Sequence, residues 1–289
     1  MKDPLKGFLY SLAGVILVST NFVTAKFGLA GFNPETFSLV WTGFATIYSI
    51  LICLIFKESR KELLSPNHIR PLIALGIATG TTMLLAWNGL SLLDPVFASL
   101  MWRFFPVMTI IAGVLFLKER LTAQELIAMS IMLFGSIYSI KGRWNIVGKG
   151  VILTLLAACS GTVQFLIAKS YSKKIDTNVM VAYRVGIAFL FILAWATVSN
   201  SINFHVPLRY WLVTMLGAFL GPCASFLFTF RSYRYWELSK SSILLTLQPI
   251  FVLPMAYIFL HTLPEKREII GGVIILSGAF YLALIQARR

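Results

Sequence analysis

Residues 98–138 read ASLMWRFFPVMTIIAGVLFLKERLTAQELIAMSIMLFGSIY, and residues 241–281 read SSILLTLQPIFVLPMAYIFLHTLPEKREIIGGVIILSGAFY. At an offset of 143 residues, Ser99 falls on Ser242, Pro106 on Pro249, Phe116-Leu117 on Phe259-Leu260, Glu125 on Glu268, Gly135 on Gly278 and Tyr138 on Tyr281. Biased composition produces Leu and Ile coincidences, but hardly an aligned Pro, Glu and Gly. The offset also holds far from this stretch. Gly7 meets Gly150, Leu12 meets Leu155, Phe22 meets Phe165, Ala25 meets Ala168, Lys26 meets Lys169, Gly43 meets Gly186 and Ala45 meets Ala188. A shift of two residues then brings Gly76 and Gly80 onto Gly217 and Gly221. The chain is expected to be two copies of one unit, residues 1–145 and 146–289.

Composition says what solvent the units face. Of 289 residues, 58% are hydrophobic and 12% charged, and mean hydropathy is +0.82, whereas a soluble domain carries about 25% charged residues. No soluble core hides that much apolar surface, but a bilayer does, with about 20 apolar residues per crossing. Apolar runs bounded by charge, Pro or Gly fall at 7–27, 35–56, 70–90, 95–117 and 122–140, then at 149–169, 178–198, 209–230, 239–260 and 267–286. The predicted fold class is an all-α integral membrane protein of ten transmembrane helices. Only the connection 57–69 has any length, so no soluble domain is hidden. The start, Met1 to Lys6 and then an apolar run from Gly7, reads as a first span, because it lacks a small-x-small cleavage site.

Five spans per copy is an odd number, so the second copy enters the membrane from the opposite face and the halves form an inverted repeat. That is the recurring plan of secondary transporters, where exchanging the shapes of the halves opens a midplane site first to one side and then to the other. The formal charge of +14 is placed accordingly. With the N-terminus inside, 16 of the 25 Lys and Arg fall on cytoplasmic segments, which predicts cytoplasmic N- and C-termini in a cell inner membrane. Membrane lipid, not nucleic acid, is the expected partner of this charge. Cys53, Cys159 and Cys223 stand in apolar runs without CxxC spacing and read as buried, inert thiols.

The stretch 98–138, with Pro106 in mid-helix, Leu117-Lys118-Glu119-Arg120-Leu121 at the turn and then Glu125 and Gly135, resembles the drug/metabolite transporter superfamily in its ten-span EamA-type group. Ser241, Pro249, Leu260, Pro264, Glu268, Gly271 and Gly278 repeat the pattern. The resemblance implies a cavity walled by the first, third and fourth helices of each half, and substrates among amino acids, other metabolites and drugs. Two departures stand out. His261-Thr262 replaces Lys118-Glu119, and Trp41 stands where many relatives carry a basic residue, which the second half shows as Arg184.

Several polar residues lie at span depth and are candidates for substrate contact. Arg103 is roughly 13 Å into its span at 1.5 Å per residue, where an arginine costs about 3 kcal/mol. Its planar fork suits a carboxylate or phosphate, and it could equally cap carbonyls, snorkel or pair with another helix. Arg184 is a second such cation. Asn21 and Gln164 occupy matching repeat positions, and Asn88, Gln248, Trp87 and Trp102 complete the candidate set; amides also join helices structurally. Pro106 and Pro249 are expected to kink the fourth and ninth spans and to act as hinges. Lys26 and Lys169, ending the first helix of each half, read either as snorkelling lysines or as gate charges.

The eleven Asp and Glu fall in loops or near span ends, so no midplane carboxylate relays protons or holds Na⁺, and exchange or facilitated movement is expected. Gly135, Gly271, Gly272 and Gly278 make the fifth and tenth helices a scaffold or a dimer seam. A phosphate-cradling Gly loop and a zinc-protease motif are missing, and no cofactor or metal is expected. The function predicted is secondary transport of a small metabolite, an amino acid or other anionic or zwitterionic solute or drug, by a monomer or weak homodimer. The rival is a membrane protein without transport activity, an enzyme or an assembly or sensor subunit. His68, His205 and His261 are scattered over separate boundaries, which argues against catalysis.

Overall fold

The computed structural model describes residues 3–92, 102, 104–140, 148–245, 247–260 and 266–288, and these are helical with short connections. The first half contains α1 (Asp3–Leu29), α2 (Pro34–Ile55), the short α3 (Lys57–Leu64), α4 (Ile69–Leu92), α5 (Phe104–Leu117) and α6 (Ala123–Ile140). The second contains α7 (Lys149–Tyr171), α8 (Thr177–Val198), α9 (Leu208–Ala218), a π-helical turn (Phe219–Ser225), α10 (Phe226–Ser232), α11 (Leu238–Leu245), α12 (Gln248–Leu260) and α13 (Lys266–Arg288). Among the described residues, seven helical stretches are long and apolar enough to cross a membrane; Leu208–Ser232 and Leu238–Phe259 are two of them. Shorter apolar helices at Phe104–Leu117, Ala123–Gly135 and Ile269–Leu282 bring the set to the ten spans of the sequence reading.

Local chemistry sets the ends. Asn33 caps α2 by accepting from Thr36 N at 2.8 Å, with Pro34 in the first turn, where its missing N–H is harmless. Asp176 caps α8 through Asn178 N and Val179 N. Thr122 and Glu125 form a reciprocal box at the start of α6, with Thr122 N donating to Glu125 Oε2 at 2.8 Å. Lys118 and Asn200, at φ 55° and 48°, end α5 and α8 in the left-handed conformation.

Helix pairing follows the inverted repeat. α4 packs on α7, and α1 packs on α9, the π turn and α10, which is the same contact with the halves exchanged. α5 packs on α7 as α12 packs on α1, while α2 meets its own counterpart α8 and α6 meets its counterpart α13. Gly76 lies against Ile187 of α8, and its counterpart Gly217 lies against Trp41 of α2. At the α6–α13 seam, a Cβ on Gly278 would stand 2.6 Å from Met132 Cγ, so this glycine face is used within the chain. Large apolar side chains such as Leu51, Leu115 and Leu190 point outward, as lipid requires. Cys53 and Cys223 are buried free thiols, but Cys159 is exposed on α7, contrary to the expectation for all three.

Both prolines lie near the starts of helices. Pro106 stands in the first turn of α5, not within a longer described helix, and the Trp102 carbonyl accepts from Phe105 N at 3.1 Å. In the ninth span, which α11 and α12 make up, Pro249 is the second residue of α12. A helix start is where proline is tolerated, since the first N–H groups have no intrahelical acceptor. The sharper distortion is at Pro222, which falls inside the π turn.

Candidate functional site

A cavity runs between the two halves, with about 970 Å³ of empty space including its mouth. Val18, Asn21 and Phe22 of α1 and Thr82, Met83, Ala86, Trp87 and Leu90 of α4 form two walls. Trp102 and Phe105, then Thr154, Gly161, Gln164 and Phe165 of α7, form the others, together with Leu245 of α11 and Gln248 of α12. Arg184 and Phe226 close the floor. The α1 and α4 residues belong to the ends of those helices remote from the N-terminus, so the cavity reaches toward the face opposite the termini.

Six of the eight candidate contact residues meet here although they are spread from residue 21 to residue 248: Asn21, Trp87, Trp102, Gln164, Arg184 and Gln248. Asn88 does not join them. One position past Trp87 on a helix, it turns away and donates to Leu84 O of its own turn at 3.0 Å. Arg103 lies outside the described residues.

Each polar group has a defined surrounding. Arg184, 1% exposed, donates through a terminal nitrogen to Pro222 O at 2.7 Å and stacks over Phe226, Cζ to ring centre 3.5 Å. Its Nε has no hydrogen-bond partner among the described residues. The carbonyl is presented by the distorted backbone around Pro222, so the π turn and the arginine hold each other. Gln164 accepts from Thr79 Oγ1 at 2.6 Å across the α4–α7 contact. Asn21 packs against Gly221, where any Cβ would collide with its amide, and its buried Oδ1 has no hydrogen-bond partner among the described residues. Trp87 Nε1 likewise has none among the described residues. The aromatic walls are continuous: Trp102 stacks on Phe105 at 5.5 Å, and Phe105 meets Phe165 edge-on at 4.9 Å.

The face of the termini is sealed. Glu119 accepts from Leu238 N at 2.6 Å and Ser239 N at 2.8 Å, capping α11 from the α5–α6 turn. A carboxylate at a helix N-terminus is favourable because the free N–H groups converge there. Lys240 pairs with Glu125 at 3.1 Å and Glu237 at 2.7 Å. Lys169 donates to Tyr233 O at 2.8 Å and Trp236 O at 2.5 Å, tying the end of α7 to the end of α10. Arg234 binds Ser172 O and Ile175 O, and α3 is held by Ser59 Oγ donating to Asp176 Oδ1 at 2.7 Å. Lys26, the counterpart of Lys169 on the opposite face, makes no described hydrogen bond or ion pair. The sequence reading missed Glu119 and Pro222. Nothing near Glu119 in sequence points to a partner 119 residues away, but Gly221-Pro222 inside an apolar run was a visible signal for a broken helix.

An inverted helical repeat with a central cavity between its halves, tied together on one face, defines a membrane transporter. The EamA-like transporter family model matches the chain twice, over residues 5–140 and 148–284, and the chain belongs to that family. It is 24% identical to an uncharacterized transporter of Haemophilus influenzae, with 98% of this chain and 96% of the relative covered. It is 22% identical to the S-adenosylmethionine uptake transporter of Rickettsia prowazekii, covering 98% and 94%. A solved protein crystal structure superimposes with a TM-score of 0.78 at 16% identity, over 98% of both chains, which shows the same fold.

Proposed function

We propose that this transporter carries a small organic solute with a carboxylate or other anionic group and a flat apolar part across the cell inner membrane by alternating access, the units 1–145 and 146–289 exchanging shapes around the cavity. The observation that carries this reading is the meeting of Asn21, Trp87, Gln164, Arg184 and Gln248 from both halves in one cavity. Arg184 Nε and Trp87 Nε1 offer donors to an anionic group, and Asn21 Oδ1 offers an acceptor to an ammonium group. Trp102, Phe105 and Phe165 provide faces for a planar moiety. The Rickettsia relative, named for uptake of S-adenosylmethionine, handles a solute with all three chemistries. With the positive-inside orientation, the sealed face is cytoplasmic and the cavity of this conformation faces outward. The working unit is a monomer or weak homodimer in lipid.

The test is uptake of radiolabelled S-adenosylmethionine and phenylalanine by vesicles containing the purified protein. Uptake of at least one label is expected, and unlabelled phenylalanine should compete where phenethylamine, which lacks the carboxylate, does not. Equal competition by phenethylamine would overturn the anionic-group reading. Absence of uptake across a wider panel of labelled metabolites would overturn the transport of small solutes.

A further inference from the structure

The centre of the cavity follows the repeat. Five pairs related by the offset of 143 residues line it, among them Asn21 with Gln164, Phe22 with Phe165 and Phe105 with Gln248. Thr154 lines it without its counterpart, Ser11 of α1. Ser11 lies instead in a buried cluster on the terminus-bearing side, between α1 of the first half and α10 and α11 of the second. Its hydroxyl is 2.8 Å from that of Ser241, which is 2.9 Å from that of Ser232. Trp236 Nε1 donates to Ser241 Oγ at 2.6 Å and to Ser11 Oγ at 3.1 Å. Ser232 donates its own proton to Thr229 O at 2.6 Å, so the chain runs from Ser11 to Ser241 to Ser232. The three serines are at most 3% exposed. Ser242, the next residue, is fully buried, and its hydroxyl has no hydrogen-bond partner among the described residues.

Resting on the transport reading above, we propose that Ser11, Ser232, Trp236, Ser241 and Ser242 form a second solute-contact site, which receives the hydrogen-bonding head group of the solute when the protein opens toward the termini. Thr154 marks the matching position on the path that is open in the present conformation. Closing a face does not call for hydroxyls, because apolar side chains of the same shape pack at least as stably as a buried hydrogen-bonded pair. Hydroxyls add the capacity to change partners. They bond to one another while this face is shut, and to the solute once α1 separates from α10 and α11. A serine hydroxyl both donates and accepts, so the site suits a carboxylate and an ammonium group alike, with the Trp236 N–H as a further donor to the carboxylate. The Ser242 hydroxyl gains in that state a partner that the closed face does not give it.

The experiment uses Ser11→Cys and Thr154→Cys, each in a protein whose Cys53, Cys159 and Cys223 are changed to alanine and whose uptake is verified, in vesicles of known orientation. A charged, membrane-impermeant thiol reagent is expected to reach Ser11→Cys from the terminus-bearing side and Thr154→Cys from the opposite side. The transported probe, phenylalanine or S-adenosylmethionine, should slow both reactions. A shift between the two conformations without contact would slow one and speed the other, and that result would overturn the proposal. So would a Ser11→Cys that the reagent reaches from neither side while uptake persists, which leaves transport standing. Ser11→Ala needs no altered background: Trp236 keeps Ser241 as its acceptor and Ser241 keeps Ser232, so no donor is orphaned. Its melting temperature should hold while uptake falls roughly threefold to tenfold, the effect of one lost hydrogen bond. Wild-type uptake in Ser11→Ala, or a loss matched by a lower melting temperature, would reduce the cluster to packing and overturn the site. No uptake by the wild-type protein would overturn the transport reading and this proposal with it.

Discussion

The guanidinium of Arg184 lies over the ring of Phe226, 3.5 Å from its centre, and the pair forms the floor of the cavity. The ring face steadies the cation electrostatically, by about 0.5–2 kcal/mol for contacts of this kind. Phe226→Leu keeps most of the apolar volume and removes the π face. The expected result is a KM for the transported solute raised roughly twofold to thirtyfold, with protein yield and thermal stability nearly unchanged. A KM unaltered by this substitution would mean that Phe226 does not position the arginine.

Trp87 carries a buried indole N–H with no hydrogen-bond partner among the described residues. Such a group is disfavoured in the empty protein and becomes satisfied only when a solute acceptor arrives. Trp87→Phe should therefore leave the melting temperature unchanged or raise it while weakening solute binding roughly threefold to tenfold, in line with one hydrogen bond of about 1 kcal/mol. Ligand-dependent thermal shift reads both quantities. Loss of stability without loss of affinity would assign Trp87 to packing alone.

Glu119 fastens the α5–α6 turn to the N-terminus of α11. Glu119→Gln presents an amide N–H where a backbone donor needs an acceptor and removes the charge. It should destabilise the sealed face by roughly 1–3 kcal/mol, seen as faster modification of a cysteine introduced near Ser242 by a reagent added from the terminus-bearing side. Unchanged modification would show that the cap does not hold the gate.

Lys169 is engaged on two carbonyls of the sealed face, while Lys26, its repeat counterpart, has no described partner on the other. If the halves exchange shapes, the two lysines exchange roles. Lys169→Gln should then shift the population toward opening at the termini, and Lys26→Gln should favour the conformation described here. Distances between spin labels across the sealed face should lengthen in the first variant and stay short in the second. The same response in both variants would contradict the exchange of roles.

Two glycines of α13 should behave differently. A Cβ at Gly278 meets Met132 Cγ at 2.6 Å and Ala128 O at 3.0 Å, whereas a Cβ at Gly272 meets nothing within 4 Å. Gly278→Ala should lower stability by about 1–3 kcal/mol through overpacking, and Gly272→Ala should be neutral or slightly stabilising. Thermal unfolding in detergent separates them, and equal effects would refute the close α6–α13 seam.

The number of spans, their order and the inverted repeat were legible in the sequence. Crossing a bilayer imposes a local requirement, a run of apolar residues with every backbone group satisfied inside it, and that requirement is written along the chain. The pairing of Asn21 with Gln164 and of Trp41 with Arg184 followed from the repeat alone. Which face of each helix looks inward was not legible, because the lipid-facing side is as apolar as the buried one and no strong amphipathic stripe marks the difference. Packing therefore decided that Trp87 enters the cavity while Asn88 turns back on its helix. Packing also brought Pro222 O to Arg184 and Glu119 to α11, contacts between residues far apart in the chain, which depend on how helices rotate and dock and not on any local pattern.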